Sequence, residues 1–396
     1  MDYKLLSHIY YENKAEYEKL YNLRFNGEST IKLPVKINSN TIFFCPCLEI
    51  FNLQNEIMNT NLKIHDIAEK LPQIALTQFA KASMLGEIEQ TNEMEGVHSS
   101  RHELNMVLNN LNEGGPKKRF SGLVNKYNLM TSNKIPLESC EDIRHLYDEL
   151  VLSEVIEDEP ENFPDGLLFR KDLAEVTSIT HKVIHKGSYP EAKITEEISC
   201  ALKILNDKSI PDIIRISIFH YLFGYIHPFY DGNGRTSRFI SSYLLSQQLE
   251  FLIGYRLSYT IKENKKDYYT AFEICNDTKS KGDITPFIII FMEIINKAMS
   301  NLYYSLNKKW NELNNYMKLI DNIPYFKDDT INAFCYVLLQ ARLFSDYGIT
   351  KKELQAGFSV SLSTIEKRLN AMGGYLKKQK LGKLTYYEFD IEKLNN

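Results

Sequence analysis

A helix that is apolar on nearly every side runs into a glycine-rich loop, and this junction constrains the fold more than any other part of the chain. The helix is predicted to open at Pro211 and Asp212, and its apolar residues continue to Phe223. A helix with almost no polar face is buried among other elements. The sequence therefore predicts a central buried helix that holds the loop 227–238 rigidly at its end.

The loop reads HPFYDGNGRTSR from His227 to Arg238, and a second apolar stretch follows it. Gly232 and Gly234 flank Asn233 just before that stretch, so a tight turn is expected to lead into a helix N-terminus. The free backbone N–H groups of such a terminus attract anions. The loop therefore predicts a seat for phosphate.

Four polar side chains of the loop suit phosphate chemistry. His227 has an ordinary pKa near ~6.5, so it can accept a proton from a hydroxyl group at neutral pH. Asp231 supplies the hard anionic oxygen that Mg²⁺ takes together with phosphates and water. Arg235 and Arg238 are three positions apart, so both guanidiniums can reach one polyphosphate and bind its oxygens in pairs.

This dodecapeptide resembles the signature of the Fic, or Fido, family, H-P-F-x-(D/E)-G-N-G-R-x-x-R, and agrees with it at every specified position. The resemblance implies a protein adenylyltransferase that uses ATP and Mg²⁺. Such an enzyme transfers AMP to a Ser, Thr or Tyr hydroxyl of a protein, and pyrophosphate leaves. It also implies a mainly α-helical fold with a Fic-type core, a β-hairpin flap and a C-terminal winged helix-turn-helix domain.

The resemblance implies a role for each loop residue. His227 is expected to be the catalytic base and Asp231 the Mg²⁺ ligand. The nucleotide-binding residues are expected to be Gly232, Asn233 and Gly234 for the α- and β-phosphates, Arg235 for the β-phosphate and Arg238 for the γ-phosphate.

A second segment, Thr91 to Gly96, reads TNEMEG and ends a helix predicted to follow Pro72. It resembles the inhibitory motif (S/T)-x-x-x-E-(G/N), which precedes the Fic core in one class of the family. The resemblance implies that Glu95 pairs with Arg238 and so occupies the arginine needed by the γ-phosphate. The acidic residues here are also typical of an ordinary solvated helix end, and the sequence leaves that alternative open.

Three functional interpretations stay open at this point. The first is an adenylyltransferase restrained by Glu95 that modifies another protein or itself. In the second, Glu95 orients a water that removes AMP, as in some family members, so the protein is a deAMPylase or a bifunctional enzyme. The third is a DNA-binding regulator whose Fic domain senses nucleotide. The presence of His227 favours an enzyme, because a nucleotide sensor needs no general base.

Residues 169–198 resemble the target-docking flap of the family. Apolar residues next to turn-forming residues predict a β-hairpin whose free edge can hold a substrate strand. The apolar residues are Val176, Ile179, Val183 and Ile184, and the turn-forming ones are Gly187, Ser188 and Pro190. His181 and His185 have the spacing of a helical metal site, but a hairpin does not give that geometry, so zinc is not favoured.

The C-terminal residues predict helix, turn and helix, followed by a two-stranded hairpin, and resemble a winged helix-turn-helix module. From residue 331 onward, ten Lys and Arg face six Asp and Glu, a modest positive charge. DNA binding and a protein-interaction role, including a homodimer, are both open. The side chains expected to meet DNA are Ser363, Lys367 and Arg368 in the groove, and Lys377, Lys378, Lys380 and Lys383 at phosphates.

Four regions are therefore expected: residues 1–110 with the inhibitory helix, a catalytic core at 111–301, a linker helix at 302–330 and the winged module at 331–396. The 396 residues, 43% of them hydrophobic, suffice for two or three domains. No apolar run has membrane length, and the six cysteines lack paired metal spacing. The composition predicts a soluble cytoplasmic protein.

Overall fold

The computed structural model describes residues 3–177 and 183–394 of the chain. They fall into two compact units. The first unit comprises the chain up to Asn59 together with Gly86–Met299. The second comprises Thr60–Leu85 together with the chain from Ser300 onward. Residues 60–85 thus belong with the C-terminal part of the chain, a division that differs from the four regions expected from the sequence.

The described residues are mainly α-helical. The helices of the N-terminal half are α1 (Leu6–Glu12), α2 (Lys14–Phe25), α3 (Leu48–Lys70), α4 (Gln73–Met94), α5 (Arg101–Asn112), α6 (Ser121–Leu129), α7 (Cys140–Tyr147) and α8 (Ser153–Asp158). Those that follow are α9 (Glu191–Asn206), α10 (Asp212–Ile226), α11 (Asn233–Gln248), α12 (Leu257–Glu263), α13 (Lys265–Asn276), α14 (Thr285–Asp321), α15 (Asp329–Phe344), α16 (Lys351–Phe358) and α17 (Leu362–Ala371).

Three small antiparallel sheets accompany the helices in the described part of the chain. Their strands are β1 (Ile31–Ile37), β2 (Asn40–Phe44), β3 (Glu175–Thr177), β4 (Val183–Lys186), β5 (Ile349–Thr350), β6 (Leu376–Leu381) and β7 (Leu384–Phe389). The pairs β1–β2 and β3–β4 are two-stranded, and the third sheet has the order β5–β7–β6.

Helix α10 is the central helix that the sequence predicts. Every residue from Ile213 to Phe223 is buried, and so is Ile226. His220 lies within this stretch, and its ring nitrogens are 2.8 Å from Ser241 Oγ and 2.7 Å from Tyr268 Oη. A buried imidazole with both nitrogens partnered is a core residue.

The loop after α10 is fixed at both ends by left-handed backbone. His227 closes α10 at φ 53°, and Gly232 precedes α11 at φ 77°. Asn233, the first residue of α11, bonds back to the loop: its side chain accepts from the Phe229 backbone N–H (3.0 Å) and donates to the Phe229 carbonyl (2.8 Å). The Phe229 ring is buried and stacks on Tyr147 at 3.6 Å between centroids. The loop is therefore held rigidly against the core.

The flap predicted between the two motifs forms a β-hairpin. Strands β3 and β4 pair antiparallel, with Glu175 opposite Lys186. The predicted turn residues Gly187, Ser188 and Pro190 follow β4 and do not connect the two strands, so that part of the prediction was wrong. Two predicted flap residues, Ile179 and His181, lie outside the described residues.

In the second unit, α15, β5, α16, α17, β6 and β7 follow one another, and β6–β7 is the hairpin predicted from the alternating residues. The short strand β5, which pairs with β7, was not predicted. The linker helix expected from residue 302 is the second part of α14, which starts at Thr285. No glycine occurs in α14, and its proline, Pro286, lies in the first turn, where proline does not break a helix.

Among the described helices, no stretch combines the length and hydropathy needed to cross a lipid bilayer.

Candidate active site

His227 stands at the C-terminus of α10, where its left-handed backbone turns the chain into the loop. Its N–H donates to the Phe223 carbonyl (3.0 Å). Burial, together with the charge of Arg170 and the nearby His185, lowers the pKa of His227 to about 4, although Glu95 acts in the opposite direction. The imidazole is therefore neutral at pH 7 and can accept a proton.

Asp231 presents a partly exposed carboxylate at the start of the turn; its side chain is 43% exposed. Oδ1 accepts the Gly232 N–H at 2.6 Å, and Oδ2 lies 3.5 Å from Arg235 Nη2. Tyr147 fixes the backbone by donating to the Asp231 carbonyl (3.2 Å). No group of three or more acidic, His or Cys side chains forms a ready metal cage among the described residues. One reachable carboxylate still fits Mg²⁺, which takes few protein ligands and completes its shell with phosphates and water.

The phosphate seat is predicted at the N-terminus of α11. The helix begins at Asn233, and the preceding residue, Gly232, supplies no side-chain cap for its first N–H groups. A Cβ at Gly234 would lie 2.1 Å from Glu95 Oε1 and 2.8 Å from Arg238 Nη1. Only glycine therefore permits the side chains of Glu95 and Arg238 to approach the helix terminus so closely.

Arg235 is buried beside the seat and faces two carboxylates. Its Nη1 is 3.3 Å from Glu154 Oε2, and its Nη2 approaches Asp231. Burial raises the pKa of Glu154 to about 7, against the opposing effect of Arg235. Arg235 Nε and Glu154 Oε1 are buried without a hydrogen-bond partner in the described part of the chain. This arginine thus keeps a donor free for an anion.

Glu154 was not identified from the sequence. It lies in α8, which precedes the flap in the sequence, whereas the loop follows the flap. No motif surrounds it. Its signal was a carboxylate within the apolar run VLSEVI, where a charge needs a partner.

Arg238 pairs with the segment predicted to be inhibitory. Its Nη2 donates to Glu95 Oε1 (2.6 Å) and to the Thr91 carbonyl (3.0 Å), and its Nε donates to Thr91 Oγ1 (2.9 Å). Burial raises the pKa of Glu95, but the adjacent Arg238 outweighs burial, and the net pKa is lowered. Burial likewise lowers the pKa of Arg238, and Glu95 reverses the effect. Both groups are therefore charged at neutral pH.

Gly96 ends the helix that carries Glu95. It adopts φ 75°, and the Val97 N–H reaches back to the Asn92 carbonyl (3.0 Å). This six-to-one bond after a left-handed glycine is a Schellman motif. Helix α4 thus ends at Met94, and Glu95 is its C-cap residue, directly before the left-handed glycine.

A second buried carboxylate attaches the same helix. Glu87 accepts the Ser258 N–H (2.8 Å) at the start of α12 and the hydroxyl of Ser242 on α11 (3.3 Å). Burial raises its pKa. No pattern in the sequence indicates this role, because Glu87 is one of several acidic residues on the helix.

Comparisons with known proteins agree with this architecture. Residues 138–245 match the profile of the Fic/DOC family. Protein adenylyltransferase fic-1 of Caenorhabditis elegans is 25% identical over 156 residues, which cover 38% of this chain and 28% of that protein. Protein adenylyltransferase Fic of Drosophila grimshawi is 34% identical over 83 residues, which cover 21% of this chain and 15% of that protein. The matched segments thus span less than a third of either relative.

The fold extends over nearly the whole chain. The crystal structure of a Fic family protein from Desulfovibrio desulfuricans G20 superposes with a TM-score of 0.53 at 17% identity, covering 91% of this chain and 98% of that one. The helical fold, with its glycine-rich loop between α10 and α11, is of the Fic type. Residues 138–245 thus form a Fic/DOC-type domain within the chain.

Proposed function

We propose that the chain is a protein adenylyltransferase that transfers AMP from ATP to a Ser, Thr or Tyr hydroxyl of a protein. One observation carries the proposal: a neutral imidazole, His227, precedes a helix N-terminus flanked by Asp231, Arg235 and Arg238. Base, anion seat and cation ligand thus occur on a single rigid loop. The adenylyltransferase names of the relatives point to the same reaction.

In this proposal the reaction begins at the hydroxyl of the target side chain. Its oxygen forms a bond to the α-phosphorus of ATP, and the proton passes to the imidazole of His227. The bond from the α-phosphorus to the bridging oxygen breaks, and pyrophosphate leaves with that oxygen. The first N–H groups of α11 and the free donor of Arg235 stabilise the negative charge of the phosphates.

Asp231 would hold Mg²⁺ through its exposed carboxylate, and Tyr147 and the Gly232 N–H orient that group. Bound Mg²⁺ would reduce the repulsion between phosphate oxygens and an incoming nucleophile.

We further propose that Glu95 inhibits this reaction. Its carboxylate contacts Arg238 directly, and Thr91 occupies two further donor directions of the same guanidinium. A γ-phosphate directed at Arg238 would meet a negative charge beside Gly234. ATP can therefore bind productively only after Glu95 leaves Arg238. That separation leaves the charges of both side chains, which are buried or half-buried, without their partner.

The test is the intact mass of the full chain after incubation with ATP and Mg²⁺, alone and with a whole-proteome extract as acceptor. Glu95→Gly should gain an AMP adduct or label acceptors at least about tenfold faster than wild type, because Arg238 becomes available. Glu95→Gly/His227→Ala should lose the label. Equal labelling by wild type and Glu95→Gly would contradict inhibition by Glu95.

Glu93→Gly is the matched control. Glu93 lies on the same helix, but it pairs with Lys262 and is more than half exposed. Its loss should leave labelling at the wild-type rate. If Glu95→Gly labels nothing while wild type removes AMP from a modified acceptor, Glu95 acts in AMP removal instead.

We infer that the C-terminal elements α15 to β7 form the winged helix-turn-helix module. Of the basic residues expected to meet DNA, Lys367, Lys378, Lys380 and Lys383 are exposed. Lys377 instead bonds Asp390 and Glu392 (3.2 Å each), and Arg368 lies over the Phe358 ring. The free positive charge is therefore small, which favours a protein-interaction role. Salt-sensitive binding to random duplex DNA in a gel-shift titration would reverse that preference.

A further inference from the structure

Arg170 joins the root of the flap to the catalytic loop. Its side chain is fully buried, yet every hydrogen bond described for it goes to a backbone carbonyl. Nε donates to His227 (2.8 Å), and Nη2 donates to Ile226 (3.3 Å). The same Nη2 reaches Ser188 (2.8 Å), and Nη1 reaches Asp172 (2.5 Å). One planar group therefore connects both ends of the hairpin with the last turn of α10.

Backbone contacts reinforce this connection. The Arg170 N–H donates to the Pro228 carbonyl (3.2 Å), and the Ser188 N–H donates to the Ile226 carbonyl (2.9 Å). Gly187 provides the space, since a Cβ there would lie 2.3 Å from Arg170 Nη2 and 3.0 Å from His227 Cβ. The guanidinium is thus seated in a site that fits its shape.

A buried arginine is normally paired with a carboxylate, because an isolated charge is costly to desolvate. Here four carbonyl dipoles take the place of that carboxylate. Five N–H donors in a fixed plane can serve four acceptors at once, whereas the three donors of a lysine radiate from a single nitrogen. The arrangement therefore requires arginine specifically.

We propose that Arg170 is a positioning residue for the transfer reaction, holding the left-handed backbone of His227 in register with the flap that presents the target hydroxyl. The proposal rests on the proposed function. A base must lie within hydrogen-bond reach of the proton it removes. Fixing the base and the flap to one guanidinium sets that distance.

The charge of Arg170 has a second effect on His227. Its positive charge opposes protonation of the imidazole, as does the neighbouring His185 on β4, whereas Glu95 at the end of α4 favours protonation. Burial, the largest cause, and the effects of Arg170 and His185 outweigh that of Glu95, so the pKa of His227 is lowered. A neutral substitution at residue 170 should therefore raise the pKa of His227, whereas a positively charged one should not.

Two substitutions in the Glu95→Gly background separate position from charge. Arg170→Gln removes the charge and most donors, so kcat should fall about tenfold or more. The KM for ATP should change less than about twofold, because the phosphate groups lie on α11. The acid limb of kcat/KM should move to higher pH. Arg170→Lys should lower kcat similarly and leave the acid limb in place.

The control is Arg144→Gln. Arg144 pairs with Asp148 (2.8 Å) and donates to the Leu168 carbonyl (3.0 Å), two residues before Arg170. It is a partly buried arginine of the same region without a bond to His227, so kcat and the acid limb should stay at parental values.

A measurement without substrate keeps the proposal testable if no AMP transfer is detected. The His227 titration can be followed by NMR in the full chain labelled with ¹³C-histidine, with His227→Ala to assign the signal. Arg170→Gln should raise the pKa of His227, and Arg170→Lys should leave it unchanged. An unchanged titration and an unchanged kcat in folded Arg170→Gln would overturn the role of Arg170 while the proposed function stood. If Arg170→Gln does not fold, a parental kcat in Arg170→Lys overturns the proposal.

Discussion

At the residue scale, Gly234 decides whether the Glu95 carboxylate can reach the N-terminus of α11. Glu95 Oε1 stands 2.1 Å from the position that a Cβ on Gly234 would take. A glycine in the first turn of a helix normally weakens it by up to about 1 kcal/mol relative to alanine. At this position the missing side chain instead creates room for the Glu95–Arg238 pair. Glycine therefore lowers the intrinsic stability of the helix at this position and at the same time permits the Glu95–Arg238 ion pair.

We expect Gly234→Ala to lower the free energy of unfolding in the wild-type chain, because its methyl group displaces Glu95. In the Glu95→Gly background the same substitution should be neutral or stabilising, since the helix gains alanine without that clash. The coupling between the two sites should reach about 1–3 kcal/mol. Chemical denaturation of the four proteins in the cycle measures it.

Gly374→Ala is the control for this cycle, since a Cβ there meets no atom within 4 Å. Its effect should be the same with and without Glu95. A coupling near zero for Gly234→Ala would show that Glu95 does not occupy the space above Gly234 in solution.

At the scale of elements, contacts besides those of Glu95 attach the C-terminal half of α4. Glu87 is 1% exposed and bonds the N–H of Ser258 and the hydroxyl of Ser242. One turn later Thr91 holds Arg238. Glu87 and Thr91 are four residues apart on one face of the helix. The position of Glu95 is thus determined by contacts along two turns.

Glu87→Ala should therefore loosen the helix without touching Arg238. The unfolding free energy should fall by about 1–3 kcal/mol, because buried N–H and hydroxyl donors lose their acceptor. AMP transfer should rise above wild type but stay below that of Glu95→Gly. Denaturation curves and the labelling assay measure the two effects.

Glu89→Ala removes a partly exposed ion pair with Arg101 from the same helix and serves as control. Such pairs contribute about 0–1 kcal/mol, and labelling should not change. Wild-type labelling in a destabilised Glu87→Ala protein would show that Glu87 supports the fold but not the inhibited state.

At the scale of the whole molecule, buried titratable groups make stability depend on pH in opposing directions. Burial lowers the pKa of His220 to about 3, so the folded chain binds fewer protons there than the unfolded chain below pH ~6.5. Stability from this group is lost as the pH falls. Burial raises the pKa of Glu154 to about 7. Its contribution is present at low pH and is lost as the pH rises toward 7.

We expect His220→Phe to reduce the loss of stability on acidification. Between pH 6.5 and pH 5 the histidine alone accounts for about 2 kcal/mol. The variant should be less stable than wild type at pH 7.5, because Ser241 and Tyr268 lose their partner, yet its Tm should fall less toward pH 5. The Tm of Glu154→Gln should instead fall more than that of wild type toward pH 5. Thermal unfolding at both pH values tests the signs; equal slopes in all three proteins would contradict the argument.

Local features of the site could be predicted from the sequence. The burial of α10, the helix start after Gly232, the flap hairpin and the helix ending near Glu95 all follow from residue spacing and from the backbone needs of glycine. The contact between Glu95 and Arg238, implied by family resemblance, is present in the structure.

Other features depend on the tertiary structure. Glu154 and Arg235 approach each other from positions 81 residues apart in the sequence. Glu87 and the start of α12 are 171 residues apart, and Arg170 and His227 are 57 residues apart. The division that places residues 60–85 with the C-terminal part also lacks a local signal. Helix periodicity and turn chemistry act between near neighbours, so the sequence by itself determined the elements and the residues of the loop. The partner of a buried charge is set by which helices meet in space, and only the tertiary structure decided that.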